Sequence, residues 1–355
     1  MKPAKGTLNG NSVIVTNTKD VGRLYTKSRF GTPQSDNQLH LSLIEAAFLL
    51  DEKKLLVFQN NKKISFEQLI THAAKKDSTF ETTYIIFQNL RNRGQQITLC
   101  KKNDDFTFNL LKKTDGETEK QCLIIAFSER SIPSLTTFKH LITQANKQDA
   151  EAWIAIADEE GDVTYYLLSE IDLHGTINAQ DYQPTKGLLL QDRVIVFDEH
   201  HAQLLHQKEF FGKPFGNGLQ LSLVEAAYLV NQQNLSIIDP ETENNVKKTQ
   251  LLSLFSQQQP DIELRITLFN DLKQRGMLVK TGFKFGTHFR AYTQSPNKGH
   301  AEYLIHGITD SFSASWPEIS RAIRLAHSVN KTFAFAIKET NSDNIYYISL
   351  SRLRP

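Results

Sequence analysis

The sequence predicts an α+β (mixed α/β) fold made of two tandem copies of one unit. Self-similarity is the first observation behind this. "LHLSLIEAAFLL" (Leu39–Leu50) returns as "LQLSLVEAAYLV" (Leu219–Val230), identical at eight of twelve positions and offset by 180 residues. The second observation is order. "SVIV" pairs with "RVIV", "SRFGTP" with "EFFGKP", "FQNLRNRG" with "FNDLKQRG" and "DVTYYLLS" with "DNIYYISL", always in the same sequence along the chain. Chance does not keep such an order over half a chain, and a repeat has to be recognised before a fold is argued. The third observation is the pattern inside each copy: strand, helix, helix, strands, helix, strands. That pattern gives each copy an N-terminal α/β domain and a C-terminal domain with a mixed sheet packed by helices.

The elements follow in order. "GNSVIVTN" and "DRVIVFD" open the copies as strands. A helix "SLxEAAxLL" comes next, and Ser42 and Ser222 stand three residues before Glu45 and Glu225, the spacing of a capping box. A second helix carries "LFNDLKQRG", where Gly276 is placed to stop it. "MLVKTG", "HFRAY" and "AEYLIHGI" read as strands. The helix "SWPEISRAIRLAHSVN" starts with Ser315 ahead of Pro317 and Glu318, another capping pattern. Its wheel groups Ile319, Ala322, Ile323, Ala326 and Val329 on one face, with Arg321, Arg324, His327 and Lys331 on the opposite arc. "TFAFAIKE" and "NIYYISLSRL" close the copy. The polar stretch from His174 to Gly187 reads as the linker. The expected boundaries are 1–95 and 96–175 for the first copy, 176–186 for the linker, and 187–280 and 281–355 for the second.

Composition excludes several classes. The chain of 355 residues is 39% hydrophobic and 23% charged, an ordinary balance for a globular protein. No run of about 18 apolar residues exists, so no membrane helix is expected. The N-terminal segment lacks an apolar signal core, and a cytoplasmic protein is expected. Cys100 and Cys122 have no metal-binding spacing, which argues against a structural zinc. The net charge of +2 hides an asymmetry: residues 272–355 hold 12 Lys/Arg against 5 Asp/Glu, or +7, and the rest carries −5. A basic C-terminal lobe suggests a polyanionic partner such as a nucleic acid.

One constellation carries chemistry. Tyr292 and His300 flank the turn "TQSPNKG", so their side chains can converge at one end of a sheet. Cleavage of a phosphodiester by a neighbouring 2′-OH needs a base, an acid and a cation for the crowded phosphorane. Histidine has a suitable pKa for the acid. Tyrosine, with a reference pKa near ~10, needs a cation nearby to serve as base. No clustered carboxylates accompany this set, so a metal-dependent nuclease has no support in the sequence.

These segments resemble the archaeal tRNA-splicing endonucleases. "VKTGFKFGTHFRAY" looks like the family segment that ends in the catalytic Tyr, "HAEYLI" like the one that opens with the catalytic His, and "RLAHSVNK" like the helix end that carries the catalytic Lys. The resemblance therefore implies Tyr292 as base, His300 as acid and Lys331 as charge stabiliser. It implies a tRNA-intron lyase that needs no metal or other cofactor, acts on precursor tRNA at bulge–helix–bulge sites, and leaves 2′,3′-cyclic phosphate and 5′-OH ends. It covers the whole second copy. The loop between Tyr292 and His300 is shorter than usual, and Asn330 stands where a basic residue is common. The family's pair of base-clamping arginines maps onto Arg324 and Arg352, with Arg354 as rival for the second place. His288 and Arg290 are expected to contact the RNA strand, and His306 to be structural. The alternatives are a noncatalytic RNA-binding or assembly subunit, or a metal-independent ribonuclease of relaxed specificity.

The first copy reads as catalytically dead. Aligning "DFTFNLL" with "HFRAYTQ" sets Asn109 opposite Tyr292, and aligning "EKQCLII" with "HAEYLIH" sets Glu119 opposite His300. Lys147 matches Lys331 only with a gap. The loop at 157–162 carries Asp158, Glu159, Glu160 and Asp162. In the resemblance such an acidic loop docks into a basic cleft of a catalytic unit, which implies a homodimer with two active sites.

Overall fold

The structure, a computed structural model, describes residues 2–101, 104–113, 119–297, 299–309, 312–339 and 344–355. The chain divides into two compact units. One comprises Met1–Ser169 with Ala314–Glu318 and Ser351–Pro355, the other Glu170–Ser313 with Ile319–Leu350. Each has its own core. That of the first runs from Ala4 to Tyr165, that of the second from Leu173 to Tyr347.

The N-terminal domains share one topology. In the first copy the strand order is Thr32–Pro33, Leu39–Ser42, Ser12–Val15, Ala4–Asn9, Leu55–Gln59, Lys62–Lys63. In the second it is Lys213–Phe215, Gly218–Ser222, Arg193–Val196, Thr185–Leu189, Leu235–Ile238. In both, the opening strand pairs parallel with the strand after the first conserved helix, a crossover that needs that helix between them. Both capping boxes form. Ser42 Oγ accepts from the Glu45 N–H at 3.2 Å, and Ser222 Oγ from the Glu225 N–H at 3.3 Å. Such a cap stabilises its helix by about 1 kcal/mol. The second helices, Phe80–Asn92 and Ile262–Gln274, run up to Gly94 (φ 81°) and Gly276 (φ 73°), left-handed positions that favour glycine.

The C-terminal domains repeat as well. In the first copy the strands are β1 (Ile97–Leu99), β2 (Phe108–Lys113), β3 (Glu119–Ser128), β4 (Ala150–Ala157) and β5 (Val163–Glu170), paired in that order. In the second they are β6 (Leu278–Thr281), β7 (Phe289–Tyr292), β8 (Tyr303–Thr309), β9 (Thr332–Lys338) and β10 (Ile345–Leu353), again in order. The only parallel step in each set is β3 to β4 and β8 to β9, and each spans a helix, Leu135–Asn146 or Trp316–Ser328. The second of these helices buries Ile319, Ile323 and Ala326, as its wheel predicts, and leaves Arg321, Arg324 and His327 exposed. Its start is held by the Glu318 carboxylate, which accepts from the Ser315 N–H and Oγ–H, each at 2.8 Å.

Candidate active site

Three strand ends define the site. β7 and β8 are antiparallel, with Ala291 opposite Tyr303, and β8 and β9 are parallel, with Tyr303 opposite Thr332. The C-terminal end of β7 therefore lies beside the N-terminal ends of β8 and β9. Tyr292 is the last residue of β7, His300 lies three residues before β8, and Lys331 immediately precedes β9. Ladder geometry alone brings the three expected residues to one end of one sheet. Lys298, in the turn between Tyr292 and His300, lies outside the described residues.

Each side chain has a different setting. Tyr292 is 8% exposed and packs with Leu278 and Ala301, with Ile177 and Phe210 against them. His300 is exposed. Lys331 is half-buried and donates from Nζ to the Ala301 carbonyl at 2.7 Å, which fixes its ammonium beside the residue that follows His300. A buried tyrosine, an anchored cation and a solvent-facing histidine suit two fixed groups and one that meets the substrate from solvent.

Glu302, which the sequence gave no reason to single out, ties the strand ends together. Its N–H donates to the Ala291 carbonyl at 3.2 Å and its carbonyl accepts from the Thr332 N–H at 2.9 Å. Its carboxylate accepts from the Thr293 N–H at 3.0 Å and the Thr293 Oγ–H at 2.8 Å. One residue thus joins the ends of β7, β8 and β9. Only the strand register reveals this.

Arg290 lies on the same face of β7 as Tyr292. Its guanidinium carbon stands 5.9 Å from the Tyr292 ring centroid, and its Nε is shielded from solvent without a hydrogen-bond partner. The guanidinium therefore lies over the face of the tyrosine ring.

His288 has a different setting from the one expected. Its side chain is 11% exposed, its Nδ1 accepts from the Gly307 N–H at 3.1 Å, and its Nε2 meets Asp261 Oδ2 at 3.2 Å. The His306 ring lies tilted against it, with centroids 4.3 Å apart. Burial, with His306 and Arg265 nearby, pushes the His288 pKa down to about 3, while Asp261 opposes the shift. Burial likewise lowers His306. His288 is a neutral packing residue with both ring nitrogens used, which corrects the expectation of an RNA contact. His306 is structural, as expected. Neither cysteine is poised as a nucleophile, since burial pushes Cys100 up to about 11 and Cys122 up to about 12.

The ladders also correct the alignment of the copies. Phe108 pairs with Ile124 as Phe289 pairs with Ile305, and each phenylalanine packs on the equivalent helix residue, Phe87 or Phe269. Asn109 therefore corresponds to Arg290, and Leu111, not Asn109, to Tyr292. Cys122 pairs with Glu151 as Tyr303 pairs with Thr332, so Ala150, not Lys147, corresponds to Lys331. The residues before them, Asp149 (φ 51°) and Asn330 (φ 53°), share the same left-handed backbone. Glu119 keeps its place opposite His300, three residues before Cys122 and Tyr303. The first copy holds Leu111, Glu119 and Ala150 where the second holds Tyr292, His300 and Lys331.

The remaining expected residues are on the surface. Arg324, Arg352 and Arg354 are exposed. In the acidic loop Asp158 Oδ1 accepts from the N–H groups of Glu160 at 3.0 Å and Asp162 at 2.9 Å, so this carboxylate shapes the turn. Glu159 pairs with Arg130 at 2.8 Å, both largely exposed. The counterpart loop of the second copy includes residues 340–343, which lie outside the described residues. Among the described residues no helix is long and apolar enough to cross a membrane.

Comparisons with known proteins agree with this architecture. The family model for the tRNA intron endonuclease catalytic C-terminal domain matches residues 262–347. The model for the tRNA intron endonuclease N-terminal domain matches twice, at 4–70 and 185–249, as a duplicated chain requires. A protein of Methanococcoides burtonii named tRNA-splicing endonuclease is 33% identical over 347 residues, covering 96% of this chain and 97% of the relative. Proteins of the same name from Methanosarcina mazei and Halobacterium salinarum are 30% and 29% identical over 100% and 99% of both chains. The duplicated architecture, the strand-end site and these full-length relatives together place the chain in the tRNA intron endonuclease family.

Proposed function

We propose that this chain is a tRNA-splicing endonuclease that cuts precursor tRNA at bulge–helix–bulge junctions. The observation that carries the reading is the gathering of Tyr292, His300 and Lys331 at the ends of β7, β8 and β9. Tyr292, with the Arg290 guanidinium over its ring, acts as base and takes the proton of the 2′-OH. The freed 2′-oxygen attacks the adjacent phosphorus, and the P–O5′ bond breaks as His300, as imidazolium, gives its proton to the leaving oxygen. The ammonium of Lys331 faces the extra negative charge of the phosphorane. The products are a 2′,3′-cyclic phosphate and a 5′-OH, so the chain is a tRNA-intron lyase in which side chains supply every service and no metal is called for.

Arg290 and Arg324, with Arg352 or Arg354, are the proposed RNA contacts, because guanidinium planes stack on splayed bases and pair with phosphate. The first copy is a noncatalytic scaffold. Two chains form a homodimer, the acidic loop of one meeting the basic catalytic lobe of the other, and opposite charge steers that contact more than it tightens it. A cytoplasmic enzyme fits the reading.

The test is cleavage of an end-labelled bulge–helix–bulge RNA in EDTA by wild type and His300→Ala. Two defined cuts with cyclic phosphate ends, lost in the variant, are expected. Binding without cleavage by wild type would leave an assembly subunit as the better reading. A ladder of products would leave a ribonuclease of relaxed specificity.

A further inference from the structure

The segment that joins the two copies lies against the catalytic tyrosine. The N–H of Gly175 donates to the Arg275 carbonyl at 2.9 Å, that of Thr176 to the Thr293 carbonyl at 2.8 Å, and that of Ile177 to the Gly276 carbonyl at 2.9 Å. Thr176 Oγ1 adds a second bond to the Thr293 carbonyl at 3.2 Å. Thr293 directly follows Tyr292, and Ile177 packs on the small cluster of Leu278, Tyr292 and Ala301. Further along, Gln180 N–H and Tyr182 O–H both donate to Glu209, whose carboxylate is buried against Lys273. The same stretch is thus anchored at both ends.

Two glycines permit the approach. A Cβ on Gly175 would stand 2.2 Å from the Gly276 carbonyl oxygen, and one on Gly276 would stand 2.7 Å from the Gly175 carbonyl oxygen. The equivalent glycine of the first copy, Gly94, has nothing within 4 Å of its Cβ position. The same helix stop is therefore open in the copy without the catalytic residues and covered in the copy with them.

We infer that the linker, through Gly175, Thr176 and Ile177, is a positioning element that sets Tyr292 for its role in cleavage. The inference rests on the proposed function of Tyr292. Ile177 closes one side of the tyrosine's packing, and the Thr176 bonds hold the backbone one residue beyond it. Neither linker residue touches RNA in this scheme, so their effect is on the chemical step. Misplacement of a reacting group by about 1 Å costs on the order of 100-fold in rate.

The test is single-turnover cleavage of the same bulge–helix–bulge RNA by the full chain, with RNA binding measured separately by filter retention. Ile177→Ala is expected to lower the cleavage rate about 10-fold or more, with the dissociation constant changed less than about 2-fold. Its pH–rate profile should change shape, and Ile177→Val should restore wild-type behaviour. Gly175→Ala should act like Ile177→Ala by pushing the linker off Gly276. Thr176→Val removes one exposed hydroxyl bond and leaves the core intact, so it keeps the test open if the others fail to fold. Its expected loss is about 3-fold in rate. Variants that cleave at the wild-type rate would overturn the inference while the function stands. So would rates that fall in step with binding and folded fraction, with an unchanged pH profile. A wild type that binds but never cleaves would overturn the proposed function first, and this inference with it.

Discussion

The two copies hold the same strand-end backbone with and without the tyrosine, histidine and lysine. At the strand ends Tyr292, His300 and Lys331 of the second copy correspond to Leu111, Glu119 and Ala150 of the first, although strand order, ladder register and the left-handed residue before the fourth strand are all kept. Side-chain identity at this end of the sheet is therefore not required by the fold. What both copies share is the phenylalanine pair, Phe87 with Phe108 and Phe269 with Phe289, and the glycine that ends the second helix. A second contrast lies behind the site. Arg91 answers three backbone carbonyls, of Ser28, Arg29 and Ile97, whereas Lys273 at the equivalent place is buried against the Glu209 carboxylate.

The largest expected effect comes from erasing the first contrast. Placing the first copy's residues in the second, as Tyr292→Leu with His300→Glu and Lys331→Ala, should reduce cleavage by about 10⁴-fold or more, with the fold unchanged by circular dichroism. Retained cleavage would show that the chemistry resides elsewhere. Next is the second contrast. Lys273→Met leaves Glu209 as an uncompensated buried carboxylate and should cost about 3–5 kcal/mol of stability. Arg91→Met frees carbonyls, while the nearby Glu45 carboxylate keeps its bonds to Gly31 and Ser42, and should cost about 1–3 kcal/mol. Equal losses in denaturant titrations of the two variants would erase the distinction.

A smaller effect concerns pH. An unfolded histidine takes up a proton near ~6.5, whereas folded His288 resists it down to about 3. The unfolded state thus binds more protons between those values, and stability drops as pH falls through that window. The groups facing His288 are His306, Arg265 and Asp261, and burial lowers His306 in the same sense. Melting temperature should fall from pH 7 to pH 5, and His288→Gln should fall less steeply. Equal slopes for the two would remove this pair as the cause. The smallest effect is at the acidic loop. Changing Glu159, Glu160 and Asp162 to their amides, with Asp158 kept to hold the turn, should weaken the proposed dimer by about 0.2–1 kcal/mol per charge at low salt. Sedimentation at low and high salt would read it, and an unchanged dimer would sink the docking role.

Signals that act over a few residues were legible in the sequence. The two serine-to-glutamate capping boxes, the glycine stops and the amphipathic face of the last helix all form where the spacing places them. Long-range register was harder to read. Phe106 and Phe108 both precede polar residues, and pairing Phe289 with Phe106 slips the first copy by two positions, which keeps the strand alternation intact and leaves no trace in the pattern. His288 was misread for a related reason. A histidine on a basic strand resembles a ligand until the opposite strand and helix supply Gly307 and Asp261. The roles of Glu302 and of the linker's contact with Thr293 were not legible because most of the bonds involved run to backbone groups, which a sequence does not display.

The left-handed turn before the fourth strand has one more consequence. Asn330 adopts a φ of 53°, and asparagine is among the few side chains that tolerate it. Asp149 occupies the same conformation in the first copy, directly before Ala150. A lysine introduced at Ala150 would inherit the backbone that aims Lys331. The first copy thus keeps the backbone turn while holding Leu111, Glu119 and Ala150 in place of the tyrosine, histidine and lysine.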